Sequence, residues 1–184
     1  MKISLFLFLL LSAPCLFAQE ERGIMNGMKY DPGLVLPVLH TLHEQNDFVI
    51  AFRTLLPAAS GTESDYFILS SGNNKHHAYS YSSKAAGLVK LNLTDASLDL
   101  IWKTFMQNEL FSIRDEKDIA NFCAVKYHIY NSYTYEFLLL SKDRMKILSY
   151  YNPEYYDEAC FGMAERRKII NSASVIQYIH PGEK

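Results

Sequence analysis

The stretch YTYEFLLLSKDRMKILSYY, residues 133–151, decides the fold. It contains two runs of aromatic and aliphatic residues, 133–140 and 144–151, which the polar pair Lys142-Asp143 separates. Two strand-length runs of this kind on either side of a short polar turn are typical of a β-hairpin. We therefore predict an antiparallel pair of strands here, preceded by a third strand over residues 122–130.

Three or four further strands are predicted upstream from runs of aromatic and β-branched residues. The second and third of them flank Ser71-Gly72-Asn73-Asn74, which is a hairpin signal because glycine and asparagine tolerate a positive φ. The first three cover residues 48–56, 65–70 and 75–82, and the alternating pattern at residues 88–93 indicates the fourth.

The strongest helix signal lies between these two groups of strands. Thr94 or Asp95 can accept hydrogen bonds from the free N–H groups of a first turn, and Asn108 is a natural end. Apolar residues recur at helical spacing in between and predict one buried face, formed by Leu98, Ile101, Trp102, Phe105 and Met106. Weaker patterns predict helices over residues 34–45 and from Met163 to about Tyr178, with a loop over residues 152–162.

Together these elements predict a single α+β domain over residues 34–180. Its sheet is expected to be an antiparallel meander of about six strands, with two to three helices packed on one face. A chain of 184 residues is long enough to build one sizeable core of this kind.

The first eighteen residues, MKISLFLFLLLSAPCLFA, have the layout of a secretory signal peptide. Lys2 supplies the positive start, an apolar run follows, and Ala18 provides a small residue for cleavage. We predict export to the periplasm or the extracellular space, with residues 19–33 as a flexible lead-in. A lipid anchor at Cys15 is the alternative, and Pro14 disfavours it because proline fixes φ in the peptidase substrate.

Cleavage would leave two cysteines, Cys123 and Cys160. In an oxidising compartment such a pair predicts one disulfide bond, which would stabilise the fold by about 4 kcal/mol in the chain-entropy model. The alternatives are two free buried thiols and a metal site. The metal site has less support because no CxxC motif or adjacent Cys/His pair accompanies the cysteines.

The charge balance argues against a nucleic-acid partner, and the hydropathy pattern argues against a membrane span. Lysine and arginine number 18 against 20 acidic residues, without the basic excess that a dedicated nucleic-acid binder carries. No apolar run beyond the signal reaches the length of a membrane span. We expect no nucleic-acid partner and no membrane span.

The residues that could carry catalysis do not form a recognised motif. His40, His43 and Glu44 lie close together on a predicted helix and could present zinc ligands, but the HExxH spacing is absent. His76 and His77 are adjacent in a predicted strand and therefore point to opposite faces. The nucleophile motif GxSxG and phosphate-binding glycine loops are absent as well. We predict no catalytic residue, no metal and no cofactor.

Residues 150–158 (YYNPEYYDE) are the most unusual segment. Tyrosine supplies contact area with few rotatable bonds and a polar tip, and acidic neighbours favour a basic partner. The predicted partner-binding residues are Tyr150, Tyr151, Glu154, Tyr155, Tyr156, Asp157 and Glu158. The alternative interpretation is that these tyrosines pack the loop against the sheet.

The function predicted from these features is that of an exported, non-enzymatic module that binds another protein. An inhibitor or an immunity-type partner of an enzyme is a concrete form of it. One alternative is an envelope hydrolase or metal-dependent enzyme that uses His40, His43 and Glu44. The other is a carrier with a small ligand in a tyrosine-lined cavity.

Overall fold

The computed structural model describes residues 25–56, 65–85, 87–119, 129, 132–160 and 163–180. Seven strands form one sheet: β1 (Met28–Lys29), β2 (Phe48–Leu55), β3 (Asp65–Gly72), β4 (Lys75–Ser82), β5 (Gly87–Lys90), β6 (Thr134–Ser141) and β7 (Arg144–Tyr151). Four α-helices accompany it: α1 (Pro37–Gln45), α2 (Asp95–Gln107), α3 (Pro153–Ala159) and α4 (Ala164–Ile179). The α+β class predicted from the sequence is confirmed, with seven strands in place of about six.

The strands are ordered β1-β7-β6-β2-β3-β4-β5, and every neighbouring pair is antiparallel. The chain forms the meander β2 to β5 first, passes through α2, and returns to place β6 against β2. In that central pair Ile50 lies opposite Leu139, and Phe52 lies opposite Phe137. The two central strands are buried on both faces, which explains their nearly continuous apolar runs.

Helices cover both faces of the sheet, so the prediction that they pack on one face was wrong. Helices α2 and α4 bury Trp102, Phe105 and Ile169 in a core with alternate residues of the strands, such as Ile50 and Phe52. The intervening residues face the other way and form a second core, to which α1 contributes Leu39 and Leu42. A strand that is apolar at successive positions needs a covering layer on each side.

Helix α2 confirms the local analysis. Its cap is Thr94, whose hydroxyl accepts a hydrogen bond from the Ser97 N–H at 3.2 Å. Trp102 and Phe105 are buried, and the helix ends at Gln107 with Asn108 as its C-terminal cap. No helix in the described ranges is both long and apolar enough to cross a membrane.

The segment predicted as a flexible lead-in takes part in the fold where the structure describes it. Met25 is buried in the core with α2 and α4, and β1 pairs with β7. Pro32–Leu34 forms a 3₁₀ turn that Asp31 caps. The domain therefore begins earlier than residue 34.

Three of the sequence predictions concern residues that the structure does not describe: the signal peptide, Cys15 and Cys123. The predicted strand over residues 122–130 lies outside the described residues as well, except for Ile129.

The predicted loop over residues 152–162 contains α3, so that prediction was wrong. Asn152 precedes the helix in the left-handed region, with φ of 40°, and its N–H donates to the Tyr133 carbonyl at 2.8 Å. Pro153 then occupies the first helical position, where its fixed φ and missing N–H are tolerated best. The Asn-Pro pair is therefore the start of a helix and not part of a loop.

Candidate functional site

A groove open to solvent crosses the end of the sheet where β2 begins and β6 ends. It consists of two cavities of about 750 and 500 Å³ that share Asp47 and Lys142 in their walls. We call it the end groove. Its larger cavity is lined by residues 25–28, 47–48 and 141–144, and its smaller cavity by Tyr30, His40, residues 43–47, Gly72, Asn73 and Lys142.

The register of the sheet explains why these segments meet. Phe48 lies opposite both Ser71 and Ser141, so the turns after β3 and β6 flank the start of β2. Asn73 and Asn74 form the first of these turns with positive φ values of 51° and 59°. The N-terminal segment closes the groove on the remaining side.

An aromatic and imidazole cluster forms one wall of the smaller cavity. Tyr30 stacks on His43, with 4.0 Å between ring centroids, and its hydroxyl is hydrogen-bonded to Nδ1 of His40 at 2.7 Å. Nε2 of His40 lies 3.6 Å from a carboxylate oxygen of Glu44, which is a charge contact and too long for a hydrogen bond. Burial raises the pKa of Tyr30, and the charges of Glu44 and Asp31 add to this effect.

The geometry of this cluster provides partners within the protein for both histidines. His43 Nε2 lies 2.7 Å from the Ser141 carbonyl oxygen, which can only accept, so this nitrogen carries a proton and is not a metal ligand. Within the described ranges, no group of three His, Cys, Asp or Glu side chains could hold a metal ion. The sequence placed His40, His43 and Glu44 together correctly and missed Tyr30.

Asp47 and Lys142 carry opposite charges at the junction of the two cavities. Both side chains are exposed, and neither makes a hydrogen bond or an ion pair with another described residue. The neighbouring Arg144 differs, because it lies 3.8 Å from Asp143 and donates to the Gly27 carbonyl at 3.1 Å. Asp47 and Lys142 are therefore charged groove residues that have no partner among the described residues.

The tyrosine-rich segment begins in the core. Tyr150 is fully buried in β7, and its hydroxyl donates to the Arg114 carbonyl at 2.5 Å. Burial raises its pKa well above the usual value. Tyr151 is half-buried, and its hydroxyl donates to the Ile129 carbonyl. Tyr150 thus offers no surface to a partner, although the sequence analysis included it in the binding set.

Glu154 connects α3 to β6. Its carboxylate accepts hydrogen bonds from the hydroxyls of Tyr133 and Tyr135, the latter at 2.7 Å. Gln177 of α4 donates to the Tyr135 hydroxyl at 3.3 Å. Burial, reinforced by the Glu154 carboxylate, raises the pKa of Tyr135 to about 12 and that of Tyr133 further. Both carboxylate oxygens of Glu154 accept hydrogen bonds within the fold, so Glu154 holds α3 against the sheet.

The remaining residues of the tyrosine-rich segment, 155–158, either contact other side chains of the protein or are exposed. Tyr156 contacts Tyr155 edge to face at 5.3 Å, and the Arg166 guanidinium lies 5.4 Å from its ring centroid. Asp157 forms an ion pair of 2.7 Å with Arg167. Glu158 is exposed. Of the three acidic residues in this segment, Asp157 is the one that the described structure pairs with a cation.

Cys160 is buried at the end of α3, against which α4 packs. Its predicted partner Cys123 lies outside the described residues. The disulfide bond between them remains a prediction.

The remaining histidines that the sequence singled out lie apart from the groove. His76 stacks on Trp102 with 4.9 Å between ring centroids and faces α2, where its Nε2 lies 4.0 Å from Asp99. His77 is the next residue along β4 and faces the other side of the sheet.

Comparison with known proteins gives no relative for this chain: no family model matches it, and neither a curated protein nor a solved structure does.

Proposed function

We propose that this chain is an exported, non-enzymatic protein that binds a segment of another protein in its end groove. One observation carries the proposal. The groove places the unpaired opposite charges of Asp47 and Lys142 between two cavities whose walls also contain Met25, Met28 and Phe48. Four separate stretches of chain converge to form it.

The dimensions and chemistry of the groove suit a short extended peptide. Cavities of this size fall in the range that holds drug-sized ligands or a few residues of chain. Methionine and phenylalanine supply apolar contact, and methionine adapts to irregular partners. A carboxylate and an ammonium group that lack partners would fix the direction of a segment carrying the opposite pattern of charge.

Export through residues 1–18 is part of the proposal, with a periplasmic or extracellular location. An inhibitor or immunity-type protein is its most concrete form, because such a protein needs only a rigid scaffold and one recognition surface. The groove replaces the tyrosine-rich segment as the proposed recognition surface, since Tyr150 is buried and Glu154 is engaged internally.

Site-specific photo-cross-linking in the exporting cell tests this proposal. A benzophenone amino acid at Asn73, on the groove wall, should give a discrete adduct with one protein. The same probe at Lys103, an exposed position on α2, should not. The charge exchange Asp47→Lys with Lys142→Asp should abolish the Asn73 adduct while the melting temperature stays unchanged, because both residues are exposed and unpaired.

Equal adducts from Asn73 and Lys103, or adducts that survive the charge exchange, would exclude the groove as the binding site. A small molecule that co-purifies and is seen by native mass spectrometry would instead favour the carrier function.

A second candidate function rests on the hydrogen bond between Tyr30 and His40. With Glu44 near the far nitrogen, His40 could exchange a proton with a ligand in the smaller cavity as a general acid or base. Hydrolysis of an aryl ester that both His40→Gln and Tyr30→Phe abolish would support this enzyme. Stoichiometric metal lost on replacing His40 and His43 would support the metal-dependent form. Neither outcome is expected from the leading proposal.

A further inference from the structure

The outer side of β7 is paired with another strand over only part of its length. β7 pairs with β6 on one side and with the two-residue β1 on the other. Because β1 reaches only Met145 and Arg144, the rest of the outer side has no strand partner in the described structure. Unpaired N–H and C=O groups along a strand are a template for pairing with another chain.

Two carboxylates occupy this open side. The Ser149 N–H donates to Oδ2 of Asp115, and the Tyr151 N–H donates to Oε2 of Glu116, both at 2.9 Å. Alternate residues of a strand direct their N–H groups to the same side, so these two donors face the same way. The acceptors lie where the carbonyl oxygens of an additional strand would lie. We call Asp115 and Glu116 the edge-capping pair.

The edge-capping pair is held in position by its own surroundings. Asp115 is buried, and it also accepts from the Lys117 N–H at 3.2 Å as the cap of a 3₁₀ turn, Glu116–Asp118. Glu116 accepts from Nε of Arg166 at 3.0 Å, and Arg166 is only 3% exposed. The two carboxylates are therefore fixed parts of the fold.

The opposite edge of the sheet has different chemistry. β5 is four residues long, its outer side pairs with no described strand, and it exposes Leu88 and Val89. If both edges were open, β5 of one copy could pair with β7 of the next. Such a head-to-tail contact repeats from copy to copy and produces a fibre wherever its rotation does not close a ring. The closed β7 edge removes one of the two surfaces that this contact requires.

We propose that the edge-capping pair prevents copies of this chain from joining edge to edge into open-ended polymers. An incoming β5 strand would have to displace two charge-assisted hydrogen bonds and would bring its own carbonyl oxygens toward two carboxylates. The excluded occupant is a second copy of this chain, and the proposal is independent of what the end groove binds.

Sedimentation velocity of Asp115→Ala over a range of protein concentrations tests the proposal. The variant should form species larger than a dimer in amounts that grow with concentration, whereas the wild type should not. Asp157→Ala, which removes a carboxylate of α3 that is paired with Arg167, should behave as the wild type. An Asp115→Ala variant that sediments as the wild type at every concentration would overturn the proposal.

A second substitution identifies the edge concerned. Ser149→Pro removes the N–H that Asp115→Ala leaves without an acceptor, and proline closes edge strands to pairing. The double variant should therefore return to the wild-type distribution. Polymers that persist in it would show that association does not use this edge of β7, which also overturns the proposal.

Hydrogen exchange of the wild-type protein gives a test that does not depend on whether any variant folds. The amides of Ser149 and Tyr151 should exchange more than about tenfold slower than in the unfolded chain, although none of the described strands pairs with them. Exchange at the unfolded rate at both positions would show that the carboxylates do not close the edge.

Discussion

Gly27 lies against the backbone of Met145 so closely that a Cβ on Gly27 would be 2.3 Å from the Met145 carbonyl oxygen. A backbone atom cannot move aside as the end of a flexible side chain can. This contact holds the N-terminal segment against β7 and thereby forms one wall of the end groove.

Gly27→Ala should displace the N-terminal segment and destabilise the protein by about 1–3 kcal/mol, the usual cost of overpacking a tight contact. Thermal unfolding followed by circular dichroism measures the change. Gly87→Ala is the matched control, because its added Cβ would meet nothing closer than 3.5 Å. Equal melting temperatures for the two variants would contradict the prediction.

Glu154 should matter to stability more than its neighbour Glu158. Glu154→Ala leaves the hydroxyls of Tyr133 and Tyr135 without their shared acceptor, at a cost of about 1–3 kcal/mol. Urea unfolding of Glu154→Ala, Tyr135→Phe and the double variant measures the coupling of the two residues. The double variant should lose less stability than the sum of the two single losses, because both substitutions remove the same hydrogen bond. Glu158→Ala, at an exposed position, should change stability by no more than about 0.5 kcal/mol.

The buried tyrosines predict a loss of stability in alkali. Burial raises the pKa of Tyr135 from 10.0 to about 12 and raises the pKa values of Tyr133 and Tyr150 further. The folded state favours the neutral form of these phenols. Their contribution to the free energy of unfolding is therefore complete below pH 10, and it is lost as the pH rises to 12 and above. Ultraviolet titration should show these three ionising together with unfolding.

Tyr135→Phe should reduce the alkaline loss of stability, whereas Tyr178→Phe, at an exposed position, should leave it unchanged. A folded protein in which all thirteen tyrosines titrate near pH 10 would contradict this prediction.

Lys146 is a buried amine whose Nζ donates to the Phe111 carbonyl at 3.3 Å. Burial lowers its pKa, so its charged form opposes folding at neutral and acid pH. Lys146→Met should raise stability by about 1 kcal/mol at pH 6, since a methionine of similar length removes a buried charge. The gain should shrink as the pH rises through the lowered pKa of the folded state, and it should vanish above pH 10.5, where the wild-type amine is neutral in both states. A Lys146→Met variant that is less stable than the wild type at pH 6 would show that the charge is needed.

The disulfide bond and export are tested together by intact mass. Protein recovered after export should have the mass of the chain beginning at Gln19, with allowance for pyroglutamate, less two hydrogens. Reduction should add those hydrogens, and alkylation should then label Cys123 and Cys160. Labelling of both cysteines before reduction would exclude the bridge.

The elements of this fold were predictable where the signal is local. The limits of β4 and β7 match the predicted ranges, and the Thr94 cap locates the start of α2, because alternation and capping depend on neighbours along the chain. The position of β6 beside β2 was not predictable in this way, since it depends on contacts between residues as distant as Arg53 and Glu136.

The end groove was beyond local analysis for the same reason. Tyr30 lies in a segment that appeared to be unstructured, and Asp47 and Lys142 lie in turns where charged residues are common. Only the register of the sheet brings these three into one surface. In the tyrosine-rich segment, Tyr150 and Glu154 serve packing, which local composition does not distinguish from a binding surface.

The central pairing of β2 with β6 has a consequence for how the chain folds. Arg53 and Glu136, which face each other across this pair, are 83 positions apart, so closing the loop between them costs much entropy before the core offsets it. The meander of β2 to β5 contains only local pairings and can form as soon as it is synthesised. The side of β2 that pairs with β6 keeps its backbone N–H and C=O groups unpaired until β6 has been added. We therefore expect folding to be slow for a chain of this size, because the central pairing of the sheet is also its most non-local one.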